Sequence, residues 1–81
     1  FDLKTAITVA PNPTDGRTTI SVSGTDKQVD ILVYNLMGKK VIEQRNIDNN
    51  YLLDLSGKSK GTYVLQLTSE NKIATKMLIV K

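Results

Sequence analysis

The sequence predicts an all-β fold, namely a seven-stranded antiparallel immunoglobulin-like β-sandwich. Val, Ile, Thr and Tyr, which favour strands, recur along all 81 residues, whereas Ala occurs at three positions. Turn-forming residues interrupt the apolar runs at spacings of about 8–12 residues, which is typical of sandwiches and barrels. Several runs alternate apolar and polar residues, as strands do when one face is buried and the other is solvated.

Turn signals separate the seven predicted strands. They are clusters of Pro, Gly, Asn, Asp and Ser, which favour turns because of their restricted or unusual main-chain conformations and their local hydrogen bonds. The signals lie at residues 11–16, 23–26, 35–38, 48–50, 56–61 and 69–71. The strands between them are predicted at residues 5–10, 17–23, 28–35, 39–45, 51–54, 62–69 and 72–80.

The third predicted strand has an ambiguous pattern. Val29, Leu32, Val33 and Leu36 also have the spacing of one helix face. Because the segment is short, rich in β-branched residues and closed by a turn, a strand is the better interpretation.

The composition leaves few groups for catalysis or metal binding. With no His and no Cys, the common catalytic triads and the usual zinc sites cannot form. Asp15, Asp26, Asp48 and Asp54 stand beside predicted turns, where Asp serves turn geometry. We therefore predict no catalytic residue, no metal, no cofactor and no enzymatic activity, with a calcium site built from scattered Asp residues left open.

Positive charge is concentrated in the last quarter of the chain. The net charge is +3, and residues 58–81 contribute five Lys against Glu70. Aromatic residues are few and are not interleaved with Lys, so no nucleic-acid partner is expected; they are Phe1, Tyr34, Tyr51 and Tyr63. No apolar run is long enough to span a bilayer, and we expect no direct membrane insertion.

Four segments follow one another in a characteristic order. They are residues 9–16 (VAPNPTDG), residues 29–41 (VDILVYNLMGKKV), residues 53–56 (LDLS) with residues 60–67 (KGTYVLQL), and residues 76–81 (KMLIVK). Together they resemble the type A C-terminal sorting domain of the Por (type IX) secretion system. The sequence departs from the usual pattern at Ala10, where an aromatic residue is common, and at Leu65-Gln66, where Lys is common.

The resemblance implies a function in protein sorting. Residues 1–81 would be a single C-terminal domain cut from a larger secreted protein, attached to an N-terminal cargo domain. The parent protein would cross the periplasm, be recognised by an outer-membrane translocon and reach the cell surface or the medium. A sortase-like protease of the system would then usually remove the domain.

Two groups of residues are candidates for function. The family-motif and turn residues are Pro11, Asn12, Pro13, Gly16, Gly38, Lys39, Gly61 and Tyr63. We expect Pro13 to follow Asn12 in a local turn, Asn35–Gly38 to form a type I turn with a Gly bulge, and Tyr63 to bury its ring while its hydroxyl stays in water. The residues predicted to be recognised by the translocon are Lys76, Met77, Leu78, Ile79, Val80 and Lys81.

The last strand allows two structural interpretations. Its four consecutive apolar residues are compatible with burial on both faces, or with an exposed edge that awaits a partner by strand addition or groove docking. Lys72, Lys76 and Lys81 would steer that partner and protect the edge from aggregation. Two other functions also stay open, a carbohydrate-binding or adhesion module and a structural spacer of a surface protein.

Overall fold

The chain folds into two antiparallel sheets preceded by one turn of helix. The computed structural model describes residues 3–25 and 27–81, with the main chain alone at Lys4. The elements are α1 (Leu3–Ala6), β1 (Ile7–Ala10), β2 (Arg17–Val22), β3 (Asp30–Asn35), β4 (Lys40–Gln44), β5 (Asn50–Asp54), β6 (Gly61–Ser69) and β7 (Lys72–Val80).

The two sheets have three and four strands. Their orders are β1-β2-β5 and β4-β3-β6-β7, and every pair is antiparallel. The chain passes from one sheet to the other between β2 and β3, between β4 and β5, and between β5 and β6. Strands that are distant in sequence are therefore paired, namely β2 with β5 and β3 with β6. This is the arrangement of an immunoglobulin-like sandwich, and the predicted fold class is confirmed.

All seven predicted strands are present, with small differences at their ends. The first strand begins at Ile7, because residues 5 and 6 belong to α1 instead. This helical turn packs against β7, and it places Leu3 in the core. Phe1 and Asp26 lie outside the described residues, so the turn predicted at residues 23–26 is described without Asp26.

The core lies between the sheets and follows the predicted alternation. In β3, Ile31 and Val33 are buried while Leu32 and Tyr34 are half-buried on the opposite face, so this segment is a strand and not a helix. The other members of the core alternate in the same way, because successive side chains of a strand point to opposite faces. The fully buried apolar side chains are Ile20, Ile31, Val33, Leu53, Leu55, Leu65, Leu67 and Leu78.

The register defines two ends of the sandwich. Gly61 pairs with Val80 and Asn35 pairs with Tyr63, so the β3–β4 hairpin turn, the β5–β6 loop and the end of β7 share one end. The loop that joins β1 to β2 is at this end too, because the Thr14 N–H donates to the Ile79 carbonyl. The helix α1 leads into β1 at the opposite end. We call the end that holds the β3–β4 turn, the β5–β6 loop and the end of β7 the C-terminal end of the sandwich.

Candidate functional site

The end of β7 divides the predicted recognition residues between two faces. Leu78 and Val80 are buried in the core, whereas Met77 and Ile79 point to solvent with 51% and 46% of their surface exposed. Burial on both faces, one of the two interpretations of the apolar run, is therefore wrong. The strand alternates like its neighbours, and its register with β6 decides which residues face outwards.

The two predicted lysines differ in position. Lys76 pairs with Leu65, a core residue, so it lies on the inner face of an edge strand, and it is half-buried there. An aliphatic stem can cover apolar surface in this position while the ammonium group reaches water. A charge that points inwards on an edge strand also opposes edge-to-edge pairing. Lys81 follows β7 and is exposed.

Met77 and Ile79 belong to a larger apolar surface on the outside of the four-stranded sheet. Met77 pairs with Val64, and Val64 pairs with Tyr34 on the next strand, so the three side chains form a row across three strands. Ile79 on β7 and Leu32 on β3 adjoin this row, each two residues along its strand and on the same outer face. Ile79 lies on the side of the C-terminal end, and Leu32 lies on the opposite side of the row. We call these five residues the outer stripe.

The loop between β1 and β2 covers the open edge of β7 at the same place. The Asn12 side-chain amide donates from Nδ2 to the Met77 carbonyl at 2.8 Å, and Asn12 Oδ1 accepts from the Ile79 N–H at 3.1 Å. The Thr14 N–H donates to the Ile79 carbonyl at 2.9 Å, and the Thr14 carbonyl accepts from the Lys81 N–H at 2.9 Å. These main-chain groups of β7 are consequently occupied and are not available for strand addition.

This arrangement differs from the local turn predicted at Asn12 and Pro13. Residues 11–13 form bends, both prolyl peptide bonds are cis, and Asn12 hydrogen-bonds β7 across the sandwich. Pro11 contributes through its carbonyl, which accepts from the Thr18 hydroxyl at 2.8 Å. Thr14 and Thr18 are both buried, and their role in joining this loop to the sheets was not predicted. The sequence carried one sign of this role: Thr18 is a polar residue on the face of β2 that otherwise holds Ile20 and Val22.

Gly16 occupies a position that other residues fit poorly. Its φ is +142°, and a Cβ there would lie 3.2 Å from the Ser56 Cα. Its carbonyl accepts from the Leu55 N–H at 2.7 Å, and its N–H donates to Thr14 Oγ1 at 3.2 Å. Gly16 therefore allows the loop to approach the end of β5 closely.

The β3–β4 hairpin has the predicted turn. The Gly38 N–H donates to the Asn35 carbonyl at 3.0 Å, and Gly38 has a φ of +83°. Asn35 Oδ1 also accepts from the main-chain N–H groups of Met37 and Lys39, each at 3.0 Å. Asn35 and Gly38 thus fix the turn, whereas the Lys39 side chain is exposed and takes no part in these bonds.

Tyr63 fills the corner where the β5–β6 loop enters β6. Its ring is buried as predicted, but its hydroxyl donates to the Ser59 carbonyl four residues upstream instead of staying in water. A tyrosine that bonds the preceding loop in this way is a recurrent feature of immunoglobulin-like sandwiches. Gly61, with a φ of +140°, lies in the same corner. Both residues have clear structural roles.

Two local ion pairs lie near the site, Arg17 with Asp54 and Lys40 with Glu43. Hydrogen bonds from the Ser56 hydroxyl and N–H lower the pKa of Asp54, and Arg17 beside it acts in the same direction. The hydrogen bond from Lys40 lowers the pKa of Glu43 and raises that of Lys40. Residues 3–25 and 27–81 contain no group of three Asp or Glu residues placed to hold a metal ion. No helix within these ranges has the length and apolarity to cross a membrane.

The structure thus brings the beginning and the end of the motif series together. The loop between β1 and β2 binds the last strand, and the β3–β4 turn and the Tyr63 corner lie at the same end of the sandwich. A comparison with curated proteins gave no match. A comparison with protein families matched residues 8–81 to the secretion system C-terminal sorting domain, Por_Secre_tail. The chain therefore belongs to the C-terminal sorting domains of the Por (type IX) secretion system, and its function is that of a sorting signal for a secreted or cell-surface protein.

Proposed function

We propose that the outer-membrane translocon recognises this domain through the outer stripe at the end of β7. The observation that carries the proposal is the partial exposure of Met77 and Ile79 beside core residues of the same strand. Monomeric domains rarely expose large contiguous apolar patches, and such a patch on a sheet often marks a protein interface. Family membership supplies the kind of partner, a component of the type IX machinery.

The geometry favours docking against the sheet face over strand addition. Strand addition needs free N–H and C=O groups along an edge. At the end of β7 those groups are bonded to Asn12 and Thr14. Side chains of the outer stripe are accessible without breaking any of these bonds. Lys81, exposed at the end of the strand, would add electrostatic steering.

The remaining steps of the proposal follow from the family. The domain would be one module that follows an N-terminal cargo domain, and the parent protein would reach the translocon from the periplasm. A sortase-like protease would then separate the domain from its cargo. The domain itself would act by being bound and not by catalysis, with no cofactor.

An export assay tests the recognition surface. The chain is fused behind a signal peptide and a fluorescent protein in a host that carries the secretion system, and fluorescence is measured in the medium, at the surface and in the periplasm. We expect Met77→Ser with Ile79→Ser to reduce export at least several-fold. Lys76→Glu with Lys81→Glu should reduce export as well, because reversing these charges opposes the electrostatic steering of the partner.

The matched control is Leu52→Ser, which removes an exposed apolar side chain from the other sheet and should leave export unchanged. Each variant is purified and its thermal melting is compared with that of the unmodified domain, so that unfolding is recognised. Normal export of a folded Met77→Ser, Ile79→Ser variant would overturn the assignment to the outer stripe.

A further inference from the structure

The two most exposed large apolar side chains of the described residues lie at the tip of the β3–β4 hairpin. Leu36 is 68% exposed and Met37 is 88% exposed. The turn itself needs Asn35 and Gly38, and the two positions between them accept polar residues in turns of this kind. The fold therefore does not explain why both are large and apolar.

A basic cleft of about 530 Å³ lies between this tip and the β5–β6 loop. Its described lining residues include Leu36, Met37 and four lysines, and none of them is an Asp or a Glu. The lysines are Lys39, Lys40, Lys58 and Lys60. Lys40 forms an ion pair with Glu43 at 2.7 Å, whereas the other three have no ion pair within the described part of the chain. The cleft thus concentrates unpaired positive charge beside exposed apolar groups.

We propose that the hairpin tip, Leu36 and Met37, binds an anionic, phosphate-bearing lipid surface together with three lysines of the adjacent cleft. These lysines are Lys39, Lys58 and Lys60, and we call them the tip lysines. The charge of the cleft calls for an anionic partner, since three of its four lysines have no ion pair within the described residues. The apolar side chains select among such partners. Met37 lines the cleft but is almost fully exposed, so the protein covers little of its side chain. An acidic segment lying in the cleft would contact one side of Met37 and leave most of it in water, whereas a lipid surface would surround a projecting tip.

The position of the tip in the fold permits this contact. It lies at the C-terminal end of the sandwich, whereas the chain enters through α1 at the opposite end. A domain that precedes α1 would therefore extend away from the bound surface. Lys81 follows the last strand at the same end as the tip. Its charge adds to the attraction of an anionic surface, although Lys81 does not line the cleft.

The contact is peripheral and separate from the outer stripe. It departs from the expectation of no direct membrane insertion, but only two side chains would enter the interfacial region. Positively charged residues beside an apolar tip are a common composition for such reversible binding. The proposal stands independently of translocon recognition, because it concerns a different surface and is tested with purified components.

Vesicle sedimentation with the purified chain tests the proposal. The vesicles contain either phosphatidylcholine alone or phosphatidylcholine with 30% phosphatidylglycerol, at low and at physiological salt. We expect binding to the anionic vesicles, weakened by salt and much lower on neutral ones. Leu36→Ser with Met37→Ser should lower the partition coefficient about tenfold or more. Lys58→Gln with Lys60→Gln should lower it to a similar degree.

Two control variants match these changes at other places. Leu52→Ser removes an exposed apolar residue, and Lys27→Gln with Arg45→Gln removes two positive charges away from the cleft. Both should bind within about twofold of the unmodified chain. Equal losses in the control and tip variants would overturn the proposal, because binding would then follow overall charge.

Two further probes separate the alternatives. If the domain bound glycerol phosphate but not vesicles, and Lys58→Gln with Lys60→Gln abolished that binding, the cleft would be a small-molecule phosphate site instead. Binding of an acidic peptide under the same conditions, again without vesicle binding, would assign a protein interface. Either result would overturn the assignment to a lipid surface.

Discussion

The Ile79 N–H donates to the side-chain oxygen of Asn12 across 67 positions of sequence, at 3.1 Å. The same Asn12 side chain donates to the Met77 carbonyl, so one amide replaces a neighbouring strand for two outward-facing groups of β7. Edge strands expose unpaired main-chain groups that invite pairing with other chains. Asn12 therefore covers the main-chain edge near the end of β7, while the side chains of Met77 and Ile79 remain accessible.

Replacing Asn12 by Ala should loosen the end of β7. The variant loses both hydrogen bonds to the strand, and we expect the free energy of unfolding to fall by about 1–2 kcal/mol. Hydrogen exchange of the Ile79 amide should accelerate more than that of core amides in β6, because the Ile79 N–H loses its acceptor directly. Both effects can be measured by denaturant unfolding and by NMR.

Asn50→Ala is the control for this prediction. Asn50 accepts one exposed hydrogen bond, from the Ser21 hydroxyl at 3.1 Å. Its replacement should cost less than the Asn12 change and leave exchange at Ile79 as it was. Unchanged exchange at Ile79 in Asn12→Ala would show that the amide does not protect the edge in solution.

Gly16→Ala should destabilise the domain more than Gly57→Ala. Both glycines have positive φ, at +142° and +84°, which a side chain disfavours. A Cβ at Gly16 would also meet the main chain of Ser56, whereas the space around Gly57 is open. We expect a loss of about 2–4 kcal/mol at Gly16 and about 1 kcal/mol at Gly57. Equal losses, measured by urea unfolding, would mean that the close approach to Ser56 relaxes at little cost.

Asn71→Gly should stabilise the β6–β7 hairpin. Glu70 and Asn71 form its two-residue turn, with φ values of +50° and +66°. Two positive φ values are typical of a type I′ turn, in which Gly is preferred at the second position. We expect a gain of up to about 1 kcal/mol for Asn71→Gly and a loss for Asn71→Ala, which tolerates positive φ less well. Thermal melting of the three proteins tests the order, and a melting temperature for the Ala variant above that of the Gly variant would contradict it.

The strands were predictable because local chemistry specifies them. Turn residues such as those at Asn35 and Gly38 separate the strands, and alternation identifies the buried side of β2 and β6. In β7 the pattern fails, because both faces carry apolar residues near the end of the strand. Only the pairing of Leu78 with Tyr63 shows which set lies in the core.

The contacts of the candidate site were less predictable because they are long-range. Asn12 looks like a turn residue, and nothing local indicates that its partners are Met77 and Ile79. Thr14 is buried because its main chain bridges to β7, although Thr next to Asp and Gly usually belongs to an exposed turn. Family resemblance located these motifs in the sequence, and the sheet register shows how they meet.

Asp30 should make stability depend on pH in the acid range. Its carboxylate accepts from Gln28 Nε2 at 2.9 Å and from the Asn46 N–H at 2.8 Å, which joins the start of β3 to the segment after β4. The side-chain bond from Gln28, followed by the main-chain bond from Asn46, lowers the pKa of Asp30. Since the folded pKa lies below the unfolded value of about 4, the charged form stabilises the fold above that value. The contribution is lost as the pH falls through the folded pKa.

Comparison with Asp30→Asn isolates this contribution. An asparagine oxygen can accept the same two hydrogen bonds but carries no charge and does not titrate. We expect the unmodified domain to exceed the variant in stability near neutral pH, because bonds to a charged acceptor are stronger. The difference should be constant above about pH 5 and shrink as the pH falls below about 4. Urea unfolding at a series of pH values measures it, and a difference that stays the same from pH 7 to pH 3 would show that Asp30 gains nothing from its charge in the folded state.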